Sequence, residues 1–433
     1  MKPMNTNFTA VLAALVFAPA SQAAPAKPVA AAAIVAGADY KAAVAALDAD
    51  YDRYVSEIVK LTEIPAPPFK ETARGNGYMA MLRDAGLTDV EMDGIGNVMG
   101  VRKGTGSGKL IAIAAHQDTV FPQGTNVTVK RTGSILAAPG VGDDTRGLAT
   151  LLAYIRAMDK AGIKTRNDIL FIGNVGEEGE GDLRGMRYLF SHKGRYHDRI
   201  SAFITMDGGG VFVLNGATGS KRYRVTFTGP GGHSYGNFGI VNPMAALAQT
   251  ISQFEAIAVP SKPKTTHVAS VVGGGTSVNA IPFSVFLEVD MRSEDPAELA
   301  KEEQAFLAIV PAAVAQENKI RSTALGEIKA EIKLIGDRPA GVTKLTDPLV
   351  TNAFAAIAAS AGKPADFAPS GSDVFGSTDA NIPISLGIPA IAIGTGGIWA
   401  RAHSLDEYTD VDKAKSLPGM AASLAILLAA ANN

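Results

Sequence analysis

The chain contains no cysteine. That absence excludes disulfides, thiolate nucleophiles, Cys-ligated zinc and iron–sulfur clusters, and it leaves His, Asp and Glu to hold any metal. An excess of one charge is also missing. Forty Lys and Arg stand against 42 Asp and Glu, a net of −2, which argues against a nucleic-acid partner held by bulk positive charge. A stable membrane anchor is not expected either. The apolar stretch Phe8 to Ala20 is too short to span a bilayer, and so is the apolar helix expected around Pro418 to Ala430, which reads as buried. Tryptophan occurs once, as Trp399 near His403, where it could line a pocket or simply pack. No internal repeat is visible.

What is present is a globular balance: 433 residues, 47% hydrophobic and 19% charged, with 46 Gly and 23 Pro. Disordered and collagen-like classes are excluded, and at roughly 150 residues per domain the length allows two or three domains. Lys2 leads into the apolar stretch, and Ser21-Gln22-Ala23 then offers small residues at the first and third positions. This pattern reads as a signal peptide, residues 1–23, cut between Ala23 and Ala24. An Ala/Pro-rich leader, residues 24–37, follows. The expectation is an exported, soluble protein, periplasmic or secreted.

Beyond the leader, apolar residues recur at helical spacing from Ala38 to Leu61, and the helix must end before Pro65-Ala66-Pro67-Pro68. A helix around Thr72 to Ala85, short strands at Val90 and Val98, and a buried strand Leu110 to Ala115 come next. A helix Thr145 to Lys160 and strands Asp168 to Val175 and Ala202 to Met206 continue the alternation, which predicts a three-layer α/β domain. From residue 221 to 335 the pattern becomes compact α+β, and α/β patterning resumes afterwards. The expected organisation is one α/β domain in two pieces, residues 38–220 and 336–433, with residues 221–335 inserted as a block.

The chemistry gathers at strand ends. Strand Leu110 to Ala115 runs into His116-Gln117-Asp118, and residues two apart in an extended segment point the same way. Asp118 can therefore hold the His116 imidazole while its other nitrogen binds metal. Asp143-Asp144 precedes a helix, Glu177-Glu178 lies between glycines after a buried strand, Asp207 ends the next strand, and His403 lies near the C-terminus. In open α/β sheets the carboxyl edge is where ligands bind. Two His and three carboxylates suit a pair of zinc-like ions with a bridging carboxylate, and a spare carboxylate can move the proton of an attacking water.

The runs HQD, GVGDDTRG, GEEGEG, MDGGG and AHSLDE resemble the co-catalytic zinc peptidases and amidohydrolases. That family includes peptidase T, bacterial glutamate carboxypeptidases, aminoacylase and succinyl-diaminopimelate desuccinylase. Gly229 to Ser234, Gly274 to Pro282 and Val289 to Ser293 are similar to its lid signatures. The resemblance implies a zinc-exopeptidase catalytic domain with an inserted ferredoxin-like lid and dimerisation domain, two Zn2+ per subunit, and cleavage of an amide bond in a short peptide or N-acyl amino acid. It implies His116, Asp143 and Asp207 on one zinc and Asp143, Glu178 and His403 on the other. The paired-Asp pattern puts the bridge on Asp143, with Asp144 the other candidate. Glu177 becomes the general base, Asp118 the orienter of His116, and His233 an oxyanion donor reaching into a partner subunit. Asn279 and Arg292 become substrate contacts. Asp207, where some members carry Glu, leans toward the peptidase T and dipeptidase side.

Two other readings compete. Gly232-His233-Ser234-Tyr235-Gly236 fits the nucleophile elbow of a serine esterase, but Gly236, Gly239 and Asn242-Pro243 postpone the helix that an elbow requires. A non-catalytic exported binding protein on a decayed peptidase fold would lack a ligand or the base, whereas every position is filled. His192, His197 and His267 show no acidic partner at ligand spacing.

Overall fold

Six apolar residues in succession, Leu110 to Ala115, form the centre of the molecule because both faces of their strand are covered. In the computed structural model, which describes residues 31–106, 108–361 and 373–433, Ile111, Ile113 and Ala115 enter one core. Leu110, Ala112 and Ala114 enter another on the opposite face. That split is the period-two alternation of an extended strand. The expected signal peptide and the first part of the leader, through residue 30, lie outside the described residues.

The main sheet has seven strands in the order Val90–Met92, Val98–Arg102, Asp168–Asn174, Leu110–His116, Ile200–Met206, Ala390–Ile393 and Val213–Leu214. Its four middle strands run parallel, and the outer ones are antiparallel additions. Helices Ala38–Ala49, Tyr51–Thr62, Thr145–Lys160 and Lys413–Ala431 cover one face. The short helices Arg184–Leu189 and Asn381–Ser385 lie over the other. This is the three-layer α/β arrangement expected.

Two local expectations change. The single helix over Ala38 to Leu61 is two helices, broken at Asp50 (φ −97, ψ 10). Aspartate competes poorly inside helices, and here its carboxylate accepts from Arg156 Nε at 2.6 Å. The end of the leader is also structured. Ala31–Ala36 is a short helix packed on helices Pro348–Ala361 and Lys413–Ala431, in keeping with the high helix propensity of alanine.

The inserted unit is a four-stranded antiparallel sheet in the order Thr265–Gly274, Ser284–Ser293, Gly219–Thr228 and Lys329–Arg338. Helices Pro243–Phe254 and Pro296–Ile320 pack on one face, giving a ferredoxin-like β-α-β-β-α-β succession. Its sheet extends from Gly219 to Arg338, slightly beyond the expected 221–335. Strand Ser284–Ser293 alternates strictly, burying Val285, Leu287, Val289 and Met291. Phe286, Glu288, Asp290 and Arg292 are thereby left on the helix-free face.

Helix Lys413–Ala431 is long and apolar enough to cross a membrane, but 78% of its most apolar window is buried inside the fold. It is a core helix, started by Asp412, whose carboxylate accepts from Lys415 N at 3.1 Å. Leu424→Ala, at a fully buried position, is expected to lower the unfolding free energy by about 2–5 kcal/mol. The check is a lower urea midpoint with unchanged slope; an unmoved midpoint would contradict this placement.

Candidate active site

The four parallel strands end on one side, and each hands a short polar segment to that edge: His116 to Asp118 after the first, Glu177-Glu178 after the second, Asp207 after the third. The fourth, Ala390–Ile393, leads into the segment that carries His403. Three groups of donors result: His116, Asp143 and Asp207; Asp143, Glu178 and His403; His116, Glu177 and Glu178. Within each group the ligand atoms lie within 4.8 Å of one another. Asp143 belongs to two of them. Its Oδ1 lies 2.9 Å from His116 Nε2 and its Oδ2 lies 3.1 Å from His403 Nε2. His403 Nε2 is also 2.8 Å from Glu178 Oε1.

The electrostatics show what this cluster demands. Burial opposes a charge on His116, yet the hydrogen bond to Asp143 and the fields of Asp143, Asp144 and Asp118 together raise its pKa well above the ordinary value. Hydrogen bonds to Asp143 and Glu178 push His403 up to about 10. Burial, with Asp143 alongside, pushes Asp207 up to about 7. Burial works against ionised Asp143, but hydrogen bonds from both histidines hold its pKa below the usual carboxylate range. Carboxylates that draw protons onto both imidazoles mark positions where cations are favoured. The donor set, all imidazole and carboxylate, fits divalent ions.

The supporting residues separate the two neighbouring aspartates. Asp144 is fully buried and caps helix Thr145–Lys160. Its Oδ1 accepts from Gly147 N at 3.2 Å and its Oδ2 from His116 N at 3.1 Å. It belongs to none of the donor groups among the described residues. Asp118 orients His116 differently from the expectation. The acceptor for His116 Nδ1 is the Asp118 main-chain carbonyl at 3.0 Å, with the carboxylate 3.8 Å away. The carboxylate instead accepts from Glu177 N at 3.1 Å and Glu178 N at 2.9 Å, because two adjacent buried N–H groups need an acceptor.

Three residues to which the sequence assigned no individual role complete the frame. Glu407 is buried and accepts from Gly140 N, Gly142 N and Asp143 N at 2.7–2.9 Å. Burial raises its pKa to about 7 against the pull of those donors. Arg338, the last residue of the inserted sheet, places Nη1 2.9 Å from Glu177 Oε1, and its Nη2 donates to the Glu177 carbonyl. Asp379 is buried behind the strand ends and accepts from Asn174 Nδ2 at 2.7 Å. Trp399 packs rather than lining the cleft. A Cβ on Gly142 would come within 2.5 Å of the indole and one on Gly209 closer still, so only glycine allows this approach.

The remaining expected residues divide. Arg292 lines the cleft of about 500 Å³ that also holds Asp143, Glu177, Glu178, Asp207 and His403. His233 and Asn279 do not line it. They sit together at an exposed end of the inserted unit, where Ser234 N donates to Asn279 O at 2.9 Å and strands Gly232–His233 and Ala280–Ile281 pair. Turns follow Ser234, and the next helix starts at Pro243, so the segment has no nucleophile-elbow geometry. His267, which lacked a visible partner in sequence, pairs with buried Glu302 at 2.7 Å inside the inserted unit.

The donor groups gathered at the sheet edge share Asp143, and the inserted α+β unit stands beside them with Arg222, Arg292 and Arg338 in the same cleft. The model of Peptidase family M20/M25/M40 matches residues 112–429. The chain belongs to that family, and is an enzyme of the metallo-exopeptidase and amidohydrolase class. Carboxypeptidase G2 of Pseudomonas sp. strain RS-16 is 25% identical over 233 residues, covering 51% of this chain and 54% of that relative, about half its length. Aminopeptidase PepT of Bacillus cereus superposes with a TM-score of 0.69 at 20% identity, over 88% of this chain and 99% of that one. The Bacillus subtilis protein YXEP, a dinuclear metal binding peptidase, gives 0.63 at 18% identity over 89% and 99%.

Glu177 and Arg338 are both almost completely buried. Removing one partner strands the other's charge, so Arg338→Met should cost about 3–5 kcal/mol of stability. Adding Glu177→Gln in the same chain should recover most of that loss. A double-mutant cycle by urea unfolding checks this, and strictly additive losses would show that the pair is not coupled.

Proposed function

We propose that the protein hydrolyses the amide bond of a short peptide or N-acyl amino acid, using two zinc ions. The observation that carries this reading is the sharing of Asp143 between two three-donor groups with Glu177 beside both. His116, Asp143 and Asp207 would hold one ion, and Asp143, Glu178 and His403 the other. When bound, such ions supply Lewis acidity toward the scissile carbonyl and lower the pKa of a water.

The chain's own residues do the rest. Glu177 takes the proton of the attacking water and returns it to the departing amine nitrogen. Arg338 fixes Glu177 Oε1, and the Asp118 carboxylate fixes the backbone of Glu177 and Glu178. The base is thus positioned before substrate arrives, which removes reorganisation from the reaction. Arg292 would hold a substrate carboxylate, with Asn279 a second substrate contact. His233 would donate to the developing oxyanion in the site of a partner subunit, because it lies outside the cleft of its own chain. The homodimer would form through the inserted unit, and the N-terminal pattern fits export. The aminopeptidase and carboxypeptidase activities of the relatives both fit short peptide substrates, and the site serves either.

Glu177→Gln should lower turnover of dipeptides, tripeptides or N-acyl amino acids by about 10²–10⁴-fold, with two zinc ions per chain retained by atomic absorption. Full activity in this variant would overturn the assignment of the base. Contribution of His233 in trans has its own test. Mixing Glu177→Gln with His233→Ala chains should restore activity, since each mixed dimer carries one intact site. Monomers by light scattering, or no recovery on mixing, would remove that role.

A further inference from the structure

Arg74 sits in the first turn of helix Thr72–Asp84 and is completely buried. Its acceptors among the described residues are all main-chain carbonyls. Nε donates to Ile64 O at 3.0 Å, Nη1 to Gln117 O at 2.6 Å and Nη2 to Thr62 O at 3.4 Å. Burial pulls its pKa down to about 10, against the fields of Asp118, Glu407 and Glu71, so the group stays charged near neutral pH. A buried cation hydrogen-bonded only to neutral carbonyls is costly for the fold. An apolar side chain would avoid that cost, but it could not hold three carbonyls from two segments.

The fork grips the turn that follows the central strand. The Gln117 carbonyl belongs to the planar Gln117–Asp118 peptide, so Arg74 fixes the plane that enters Asp118. The plane that leaves Asp118 joins its carbonyl to Thr119 N, which donates to Ala66 O at 3.0 Å. Ala66 lies in the same segment as Thr62 and Ile64, whose carbonyls Arg74 also holds. One side chain therefore sets both planes around Asp118, the first directly and the second through residues 62–66. The Asp118 carbonyl accepts from His116 Nδ1 at 3.0 Å, and His116 Nε2 then lies 2.9 Å from Asp143 Oδ1. An imidazole held in this way at Nδ1 presents Nε2 to a metal. The Asp118 carboxylate accepts from Glu177 N and Glu178 N, so the segment carrying the proposed base is registered to the same frame.

We propose that Arg74 is a positioning residue for the site. It fixes the two peptide planes around Asp118, and through the Asp118 carbonyl it holds the His116 imidazole in the orientation that presents Nε2 to a divalent cation. The planar fork is the part that matters, because an ammonium at the same place keeps the charge without spanning both segments. This rests on the two-ion reading above.

The test is Arg74→Lys in the full chain, with two readouts. The His116 Nδ1 proton, assigned in proton NMR by its loss in His116→Gln, should exchange with solvent slowly in the wild type and faster in Arg74→Lys. Zinc affinity, by competition with a chelator, should fall about 10–100-fold. Arg74→Gln should move both readouts in the same direction. A merely structural role would lower the urea midpoint and leave the ring proton and the zinc affinity as they were. Either readout unchanged in a folded variant overturns the inference. If neither variant folds, the wild type decides, because the Thr119 amide and the His116 ring proton should both exchange slowly. Fast exchange at either one overturns the inference. Neither readout needs turnover, so these outcomes are separate from failure of the hydrolase reading, which would show as no cleavage of any amide with zinc present.

Discussion

Carboxylates crowded at one sheet edge repel one another, and the structure around the site is organised by that repulsion. Asp143, Glu177, Glu178 and Asp207 share a single cleft, and burial makes each negative charge more costly than it would be in water. The cluster persists only where opposite charge or donated hydrogen bonds offset it. Both histidines, His116 and His403, are drawn to Asp143, and Arg338 is drawn to Glu177. What still lacks compensation is the charge that divalent cations would supply.

A second set of buried carboxylates holds backbone rather than facing the cleft. Asp118 takes the N–H groups of Glu177 and Glu178. Asp144 takes those of His116 and Gly147, and Glu407 takes three from the Gly140 to Asp143 turn. The segments that carry His116, Asp143 and Glu177-Glu178 are therefore each tied to an acid from another part of the chain. These acids satisfy donors that a sharp loop would otherwise leave unpaired. Arg146, fully buried, extends the same scheme by joining the start of helix Thr145–Lys160 to Thr409 and Ser416. The placement of these candidate ligands is thus set by hydrogen bonds to main chain, which leave their loops little freedom to shift.

This division explains what could be read from the sequence. Strand Leu110 to Ala115 and helix Thr145 to Lys160 were legible because burial and period are local properties. Glu177 and Glu178 stood out as candidates because they lie between glycines after a buried strand, where ordinary turn residues would be Asn, Asp or Ser. Asp50 escaped notice because one aspartate in a helical pattern is tolerated until a distant arginine claims it. The Glu177–Arg338 pair, 161 residues apart, and the His267–Glu302 pair leave no local signal. Nor does the main-chain contact by which Asp118 orients His116. A backbone carbonyl is present at every residue, so sequence pointed to the carboxylate instead.

The candidate ligands and the arginines that face them are mounted on different parts of the fold. The α/β domain supplies every proposed metal ligand and the proposed base, whereas the guanidinium groups of Arg222, Arg292 and Arg338 come from the inserted sheet. Arg338 is where the two meet, since it ends the last inserted strand and grips the base. A substitution on the helix-free face of that sheet leaves the candidate ligands in place. A change at Arg338 must disturb the proposed base. The candidate ligand set therefore points to a reaction class, and the proposed substrate contacts come from side chains that the inserted sheet turns toward the cleft.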